Sequence, residues 1–145
     1  MALELGVFYN RDWMGKPPHM ASQDLPIWER FRDKYKNDFI GFYFDAACGT
    51  PSEVPAGTEP NMAKMWTRIT SKRLDVVGVK TNEYWIIEIR PDAAAGALGT
   101  IMTYINCVST EPLDDRQLVA VLVSDRFDPD IVPLARQFNI NLIQV

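Results

Sequence analysis

The chain has 145 residues, of which 47% are hydrophobic and 23% charged, and its net charge is −4. This length fits one folded domain, residues 1–145, because a core of this size already buries roughly 70% of the surface that the unfolded chain exposes. No apolar stretch reaches the roughly 18 residues of a membrane span, and the first residues lack the pattern of a secretion signal. The acidic balance argues against a protein that coats nucleic acid over its whole surface. We therefore expect a cytoplasmic protein, or part of a particle assembled in the cytoplasm, with no membrane contact.

The small number of cysteines and histidines limits the chemistry that the chain can perform. Cys48 and Cys107 are far apart in sequence and form no CxxC motif, and His19 is the single histidine. These residues cannot complete a zinc site, and a Ser-His-Asp arrangement would have to use His19, which lies in a Gly/Pro-rich segment. We interpret both cysteines as reduced, structural residues.

The N-terminal half predicts one helix and one strand. Residues 1–22 contain aromatic anchors and a Gly/Pro-rich turn, which indicates an arm packed on the core. Apolar side chains recur at helical spacing over residues 24–37, and a proline suits the first turn of that helix. Alternating aromatics predict a strand over residues 39–46, and residues 49–61 are too rich in Gly and Pro for a regular element. Residues 62–70 fit either a short helix or the lead into a strand.

The middle of the chain predicts a β-hairpin followed by a helix. Residues 73–79 and 84–90 are rich in β-branched and aromatic side chains and flank a short polar turn. Asp92 can cap a helix that continues to residue 108. Three small residues of that helix are expected to allow a close approach to the sheet: Ala95, Gly96 and Gly99.

The C-terminal segments predict a parallel strand–helix–strand unit. The continuous apolar run at residues 118–124 is typical of a central strand covered on both faces of its sheet. A helix over residues 128–139 and a strand over residues 140–145 follow it, and such a connection is expected to be right-handed. The whole pattern is that of an α/β domain.

Two carboxylates are predicted to oppose each other across the hairpin. A turn centred on residues 81 and 82 pairs Asp75 with Glu88, so both side chains point to one face, and it pairs Arg73 with Arg90. Opposed like charges are destabilising, and a bound Mg²⁺ or Mn²⁺ would compensate them. The alternative is a structural salt-bridge cluster with the two arginines. A one-residue slip of register would place the carboxylates on opposite faces.

A run of positive charge precedes the hairpin without an intervening acidic residue. This basic segment is a candidate nucleic-acid contact, although it also fits a solvated positive face. Its members are Lys64, Arg68, Lys72 and Arg73.

Residues 73–79, 84–91 and 93–104 together resemble the core of PD-(D/E)XK nucleases, and in particular small members found in phages and plasmids. In that family an Asp, a Glu-x-Lys and a helix bearing Gly-Gln and Tyr follow one another in this order. The similarity is strongest over residues 73–104, and the order of elements extends it from Ile27 to Val145. The resemblance implies a single restriction-endonuclease-like domain with a mixed central sheet flanked by helices.

The resemblance also implies roles for individual residues. Asp75 and Glu88 would be catalytic ligands of Mg²⁺ or Mn²⁺, and the carbonyl of Ile89 could add a third oxygen. Glu29 resembles the acid that the family places on its first helix, although it also fits an ordinary surface glutamate. Tyr104 agrees with the family's tyrosine, and it equally fits a core aromatic.

Two positions depart from the family pattern. Arg90 stands where the family has the lysine of its motif, and Thr100 stands where it has the glutamine. Arginine stays charged and is limited to electrostatic roles, whereas lysine can also exchange a proton. Two functions therefore remain open: a metal-dependent nuclease acting on nucleic acid, with DNA as the first choice, or a catalytically silent fold. The silent fold would serve as a structural component of a phage particle, in its head, neck or tail, and would bind protein neighbours or DNA.

Overall fold

A computed structural model describes residues 3–145, apart from the side chains of residues 68 and 69. One mixed sheet of six strands runs in the order β1 to β6, with antiparallel pairing from β1 to β4 and parallel pairing from β4 to β6. The strands are β1 Tyr9–Asn10, β2 Gly41–Cys48, β3 Lys72–Val79, β4 Glu83–Ile89, β5 Gln117–Ser124 and β6 Ile140–Gln144. The helices are α1 Leu25–Tyr35, α2 Pro60–Thr70, α3 Ala95–Thr110 and α4 Val132–Gln137. This is the α/β architecture with a mixed central sheet that the sequence predicts.

Two hydrophobic clusters cover the two faces of the sheet. One contains α3, α4 and the side chains of one sheet face, and the other contains α1 and the opposite face. Trp28 and Phe31 of α1 are almost fully buried, as are Val121 and Leu122 on opposite faces of β5. Each such apolar side chain contributes about 1.5–3 kcal/mol through its removal from water. None of the helices in the described part of the chain has both the length and the apolar character to cross a lipid bilayer.

Most of the predicted elements are found, and the undecided segment is a helix. α1, β2, the β3–β4 hairpin, β5 and β6 lie where the sequence places them. Residues 62–70 belong to α2, which begins after Glu59, whose carboxylate accepts a hydrogen bond from the backbone N–H of Met62 at 3.1 Å. A cap of this kind satisfies one of the free N–H groups of the first turn.

The predicted start and sheet-facing side of α3 are wrong. Asp92 does not cap the helix: it has a left-handed backbone with φ of 46°, its side chain accepts a hydrogen bond from Arg126, and α3 begins at Ala95. Gly96 and Gly99 face solvent, with nothing near the position that a β-carbon would take. The buried side chains of α3 recur at helical spacing from Ala97, so the glycines fall on the opposite side.

Strand β2 changes the face on which its side chains pack. Phe42 and Phe44 pack in the α1 cluster, whereas Ala46 and Cys48 pack in the α3 cluster, although all four share the same alternation. The change occurs at Asp45, which has a left-handed φ of 55°. A strand normally keeps one face for every second residue. The left-handed backbone at Asp45 therefore rotates the strand, so that every second side chain after it points to the opposite face of the sheet.

Strand β3 changes face at the neighbouring position. Val76 packs in the α1 cluster, whereas Leu74 and Val77 both pack in the α3 cluster. The β2–β3 ladder pairs residues on both sides of this point but does not pair Asp45 with Asp75. Asp75 therefore lies where regular pairing is interrupted, and its side chain is available for another contact.

Candidate active site

The β3–β4 hairpin has the predicted register. Val76 pairs with Ile87 and Val77 with Ile86, and the ladder continues to the turn at Lys80. Counted away from the turn, the last regular pair is Val76 with Ile87, and Asp75 and Glu88 are the next residues on the two strands. Extension of the same register places Asp75 opposite Glu88, as the alternation of the two strands predicts.

Asp75 replaces a backbone acceptor at the point where the strands separate. Its Oδ2 accepts a hydrogen bond from the backbone N–H of Ile89 at 2.9 Å. That amide would otherwise face β3 without its ladder partner, and an unsatisfied buried N–H costs about 1–3 kcal/mol. The Asp75 carboxylate thus has a structural function in the hairpin as well as its place in the site.

Glu88 is the most deeply buried ionisable side chain of the site. Only 5% of the residue is exposed, and its Oε2 makes no hydrogen bond to a donor among the described residues. Its carboxyl group faces that of Asp75 at hydrogen-bonding range. Two ionised carboxylates have no proton to share, so this contact is attractive only when one of them is protonated.

Burial raises the pKa of both carboxyl groups, and the charge of Asp75 adds to the rise at Glu88. Burial raises the pKa of Glu88 to about 9, and the neighbouring charge of Asp75 contributes to this rise, while Arg90 opposes it. Burial also raises the pKa of Asp75, and the hydrogen bond from Ile89 lowers it. The pair therefore retains one proton near neutral pH unless a cation takes its place.

Arg90 contacts one carboxylate and is held by α3. Its guanidinium donates to Oε1 of Glu88 and to the hydroxyl of Thr100, both at 3.4 Å. Thr100 in turn donates to the carbonyl of Gly96 at 3.0 Å. The two residues that depart from the nuclease motif therefore contact each other, and together they orient a positive charge toward Glu88.

Tyr104 completes the side of the site formed by α3. Burial raises the pKa of its phenol, and the charges of Glu88 and Asp75 raise it further. The side chain is half-buried and packs at the edge of the α3 cluster. It therefore stays neutral and borders the carboxylate pair.

The acid that α1 brings toward the site is Asp24, the residue before its first turn, for which the sequence analysis predicted no role in the site. The charge of Asp24 raises the pKa of Asp75, which places the two carboxyl groups near each other. Burial raises the pKa of Asp24, and Arg90 opposes that rise. Glu29 is half-buried in the second turn of α1 and makes no hydrogen bond or ion pair to any described residue.

The comparison with known proteins bears on the fold. A crystal structure of a repair endonuclease from Pyrococcus abyssi superposes with a TM-score of 0.50 over 90% of this chain, at 10% sequence identity. The chain has an endonuclease-like fold. It spans about half of that endonuclease, 49% of its length. No family model matches the sequence, and no curated protein matches it.

On this endonuclease-like fold, the members of the basic segment have different surroundings. Lys64 is exposed on α2, and the side chain of Arg68 lies outside the described residues. Lys72 is half-buried at the start of β3. Arg73 forms an ion pair of 2.7 Å with Asp45 of β2. The paired residues of β3 and β4 stop before Arg73 and Arg90 are reached, so the ladder does not include the predicted opposition of these two arginines.

Asp75 and Glu88 offer carboxylate oxygens, which are the ligands that small divalent cations prefer. No group of three or more His, Cys, Asp or Glu side chains suited to a metal occurs in the described part of the chain. Two features nevertheless fit a cation that retains several waters: the Oε2 of Glu88 lacks a donor, and the two carboxylates repel each other. Mg²⁺ typically binds through one or two carboxylates and keeps much of its water.

Proposed function

We propose that the protein is a metal-dependent nuclease that hydrolyses phosphodiester bonds of nucleic acid, with DNA as the first substrate to test. The observation that supports this proposal is the buried Asp75–Glu88 pair on an endonuclease-like fold. A buried pair of like charges destabilises a sheet, and the Arg90–Glu88 contact of 3.4 Å is long for an ion pair that would offset it. Perturbed carboxyl groups that converge at one point are typical of functional sites.

Asp75 and Glu88 would hold Mg²⁺ or Mn²⁺, with the carbonyl of Ile89 as a third oxygen ligand. The cation would supply Lewis-acid polarisation of the phosphate and a bound water of lowered pKa. The Ile89 N–H fixes the orientation of the Asp75 carboxylate, because it is bonded to Oδ2. The burial of Glu88 keeps bulk water away from the second ligand.

Arg90 would stabilise negative charge that develops on the phosphate. A fixed guanidinium stabilises an oxyanion without reorganisation, and Thr100 holds this one in place. Arginine does not exchange its proton, so the proton taken from the attacking water must pass to solvent or to a carboxylate. We therefore expect slower turnover than a lysine at the same position would give.

Lys64 and Trp66 would contact the nucleic acid from α2. Both are exposed on this helix, and the indole N–H of Trp66 donates to the carbonyl of Glu53 at 3.1 Å, which fixes the orientation of the ring. An oriented aromatic ring suits stacking with a base, and an exposed lysine suits pairing with a phosphate. Lys72 and Arg73, at the start of β3 just after this helix, would add positive charge.

The test is cleavage of supercoiled plasmid and of single-stranded DNA with Mg²⁺ or Mn²⁺. The wild type should cut only with metal, Glu88→Gln should abolish cutting, and Arg90→Lys should increase it. Glu83→Gln is the matched control, because it changes a carboxylate at the other end of β4. Metal-dependent cutting that survives in Glu88→Gln would contradict the assigned site.

A second candidate function is a silent nuclease fold that binds DNA or protein neighbours in a phage particle. The two substitutions Arg90 and Thr100 favour it, because they occupy the family's lysine and glutamine positions. In that case neither the wild type nor Arg90→Lys would cut. Retained DNA binding that weakens in Lys64→Ala would then support a binding role.

A further inference from the structure

The two cysteines, distant in sequence, meet beside the candidate active site. Cys48 ends β2 and is fully buried, whereas Cys107 lies in α3 and is half-buried. Both side chains pack in the α3 cluster, and the proximity of Cys107 adds to the rise in the pKa of the Cys48 thiol. A β-carbon at Gly49 would lie 3.0 Å from the sulfur of Cys107, so α3 packs closely over the end of β2. The sequence interpretation of two separate structural cysteines missed this contact.

The surroundings of the two thiols favour reaction at one of them. Lys72 lies next to the pair, since its Nζ is 3.8 Å and its Cδ 3.3 Å from that same β-carbon position. Burial raises the pKa of the Cys48 thiol to about 12, and the Lys72 ammonium opposes that rise. The thiolate is the reactive form of cysteine, so Cys48 is disfavoured as the first nucleophile. Cys107 is also the more exposed of the two, which gives it access to a small oxidant.

We propose that Cys48 and Cys107 form a reversible intramolecular disulfide when the protein meets hydrogen peroxide or an organic hydroperoxide. In the first step the Cys107 thiol releases its proton, its thiolate attacks a peroxide oxygen, and the O–O bond breaks. A sulfenic acid forms, and the hydroxide or alkoxide that leaves takes up the released proton as water or an alcohol. In the second step the Cys48 sulfur attacks the sulfenic sulfur, the S–O bond breaks, and water leaves. The two thiols lose two electrons and two protons, and the peroxide is reduced.

This bond would connect the end of β2 directly to α3. The segment from Gly49 to α2 leaves the sheet at this point, and Tyr104 lies one helical turn before Cys107. An ionised Cys48 would raise the pKa of the Tyr104 phenol, as the charges of Glu88 and Asp75 do, so the cysteine pair and the carboxylate pair both lie near this tyrosine. Oxidation would therefore fix α3 against the sheet next to the carboxylate pair. The formation of the bond itself does not depend on nuclease activity.

The experiment is peroxide treatment of the full chain, followed by thiol titration, intact mass measurement and peptide mapping without reduction. The wild type should lose both thiols together, lose the mass of two hydrogen atoms, and yield one peptide that joins Cys48 to Cys107. Dithiothreitol should restore both thiols. Oxygen addition or intermolecular dimers in the wild type, without the internal crosslink, would overturn the proposal.

Two variants resolve the steps of the reaction. In Cys48→Ala, Cys107 should stop at a sulfenic acid that dimedone traps, since no second thiol is present. In Lys72→Gln, formation of the crosslink should slow several-fold, because the thiolate loses its neighbouring ammonium. Equal dimedone labelling of the wild type and Cys48→Ala would contradict the second step. The wild-type peptide map decides the main question even if a variant folds poorly.

Discussion

The Glu88 carboxyl should make the metal-free protein less stable as pH rises, and Glu88→Gln should remove this dependence. The pKa of Glu88 is raised in the folded protein to about 9, from an ordinary value of 4.5. A group with a raised native pKa contributes stability below its unfolded pKa and loses it as pH rises through the native value. When Glu88 ionises at high pH, the folded protein loses the proton that lies between the two carboxyl groups, and two negative charges then face each other in the interior.

The magnitude follows from the difference in bound protons. Between about pH 6.5 and about pH 8 the folded protein retains this proton almost fully, whereas the unfolded chain does not, so the free energy of unfolding falls by about 2 kcal/mol. For a chain of this length that loss corresponds to a melting temperature lower by about 4–8 °C.

The assay is thermal unfolding followed by circular dichroism, in EDTA, at both pH values. The wild type and the control Glu83→Gln should show the fall in melting temperature, and Glu88→Gln should show little of it. Glutamine keeps the shape of the side chain and can donate to Asp75 without ionisation. Parallel curves for the wild type and Glu88→Gln would refute the assignment of the retained proton to this pair.

Three further results are expected. Mg²⁺ at about pH 8 and a hundredfold excess over Kd should increase the unfolding free energy of the wild type by about 3 kcal/mol, and so raise its melting temperature, but should not stabilise Asp75→Asn. Equal shifts in the two proteins would argue against Asp75 as a ligand. Asp45→Ala should cost about 1–3 kcal/mol in urea unfolding, because it loses the Arg73 ion pair and strains a left-handed backbone, whereas Asp45→Asn should lose less. Gly78→Ala should cost about 1–3 kcal/mol in the same measurement, since its β-carbon would lie 2.5 Å from the Phe39 ring; an unchanged unfolding midpoint would show that the ring moves freely.

The features that the sequence predicted are those set by local pattern. The register of the β3–β4 hairpin, with Val76 against Ile87 and Val77 against Ile86, follows from alternation on two strands and a short polar turn, and all of this information lies within residues 73–90. The parallel unit formed by β5, α4 and β6 was likewise visible in continuous apolar runs. Such patterns indicate which residues face a core, and so they also locate a pair that shares a face.

The features that the sequence did not predict depend on contacts between distant segments. Asp24 reaches the site because α1 packs across the sheet, and no local signal separates it from Glu29. Aspartate tolerates a left-handed backbone, but nothing in the sequence near Asp45 indicates that the strand changes face there or that Asp45 forms an ion pair with Arg73. These positions required the packed arrangement of whole elements.

Asp75 and Glu88 differ in how they contribute to the folded hairpin. Asp75 accepts the Ile89 amide where the hairpin opens, so the sheet would need this side chain even in an inactive protein. Glu88 meets the Arg90 guanidinium at 3.4 Å, and its second carboxyl oxygen lacks a donor among the described residues. Replacement of Asp75 would therefore disturb the hairpin itself, whereas an amide at Glu88 would leave the hairpin hydrogen bonds in place. An aspartate at position 75 would persist in an inactive chain for the sake of the sheet, so its presence alone does not mark an active nuclease.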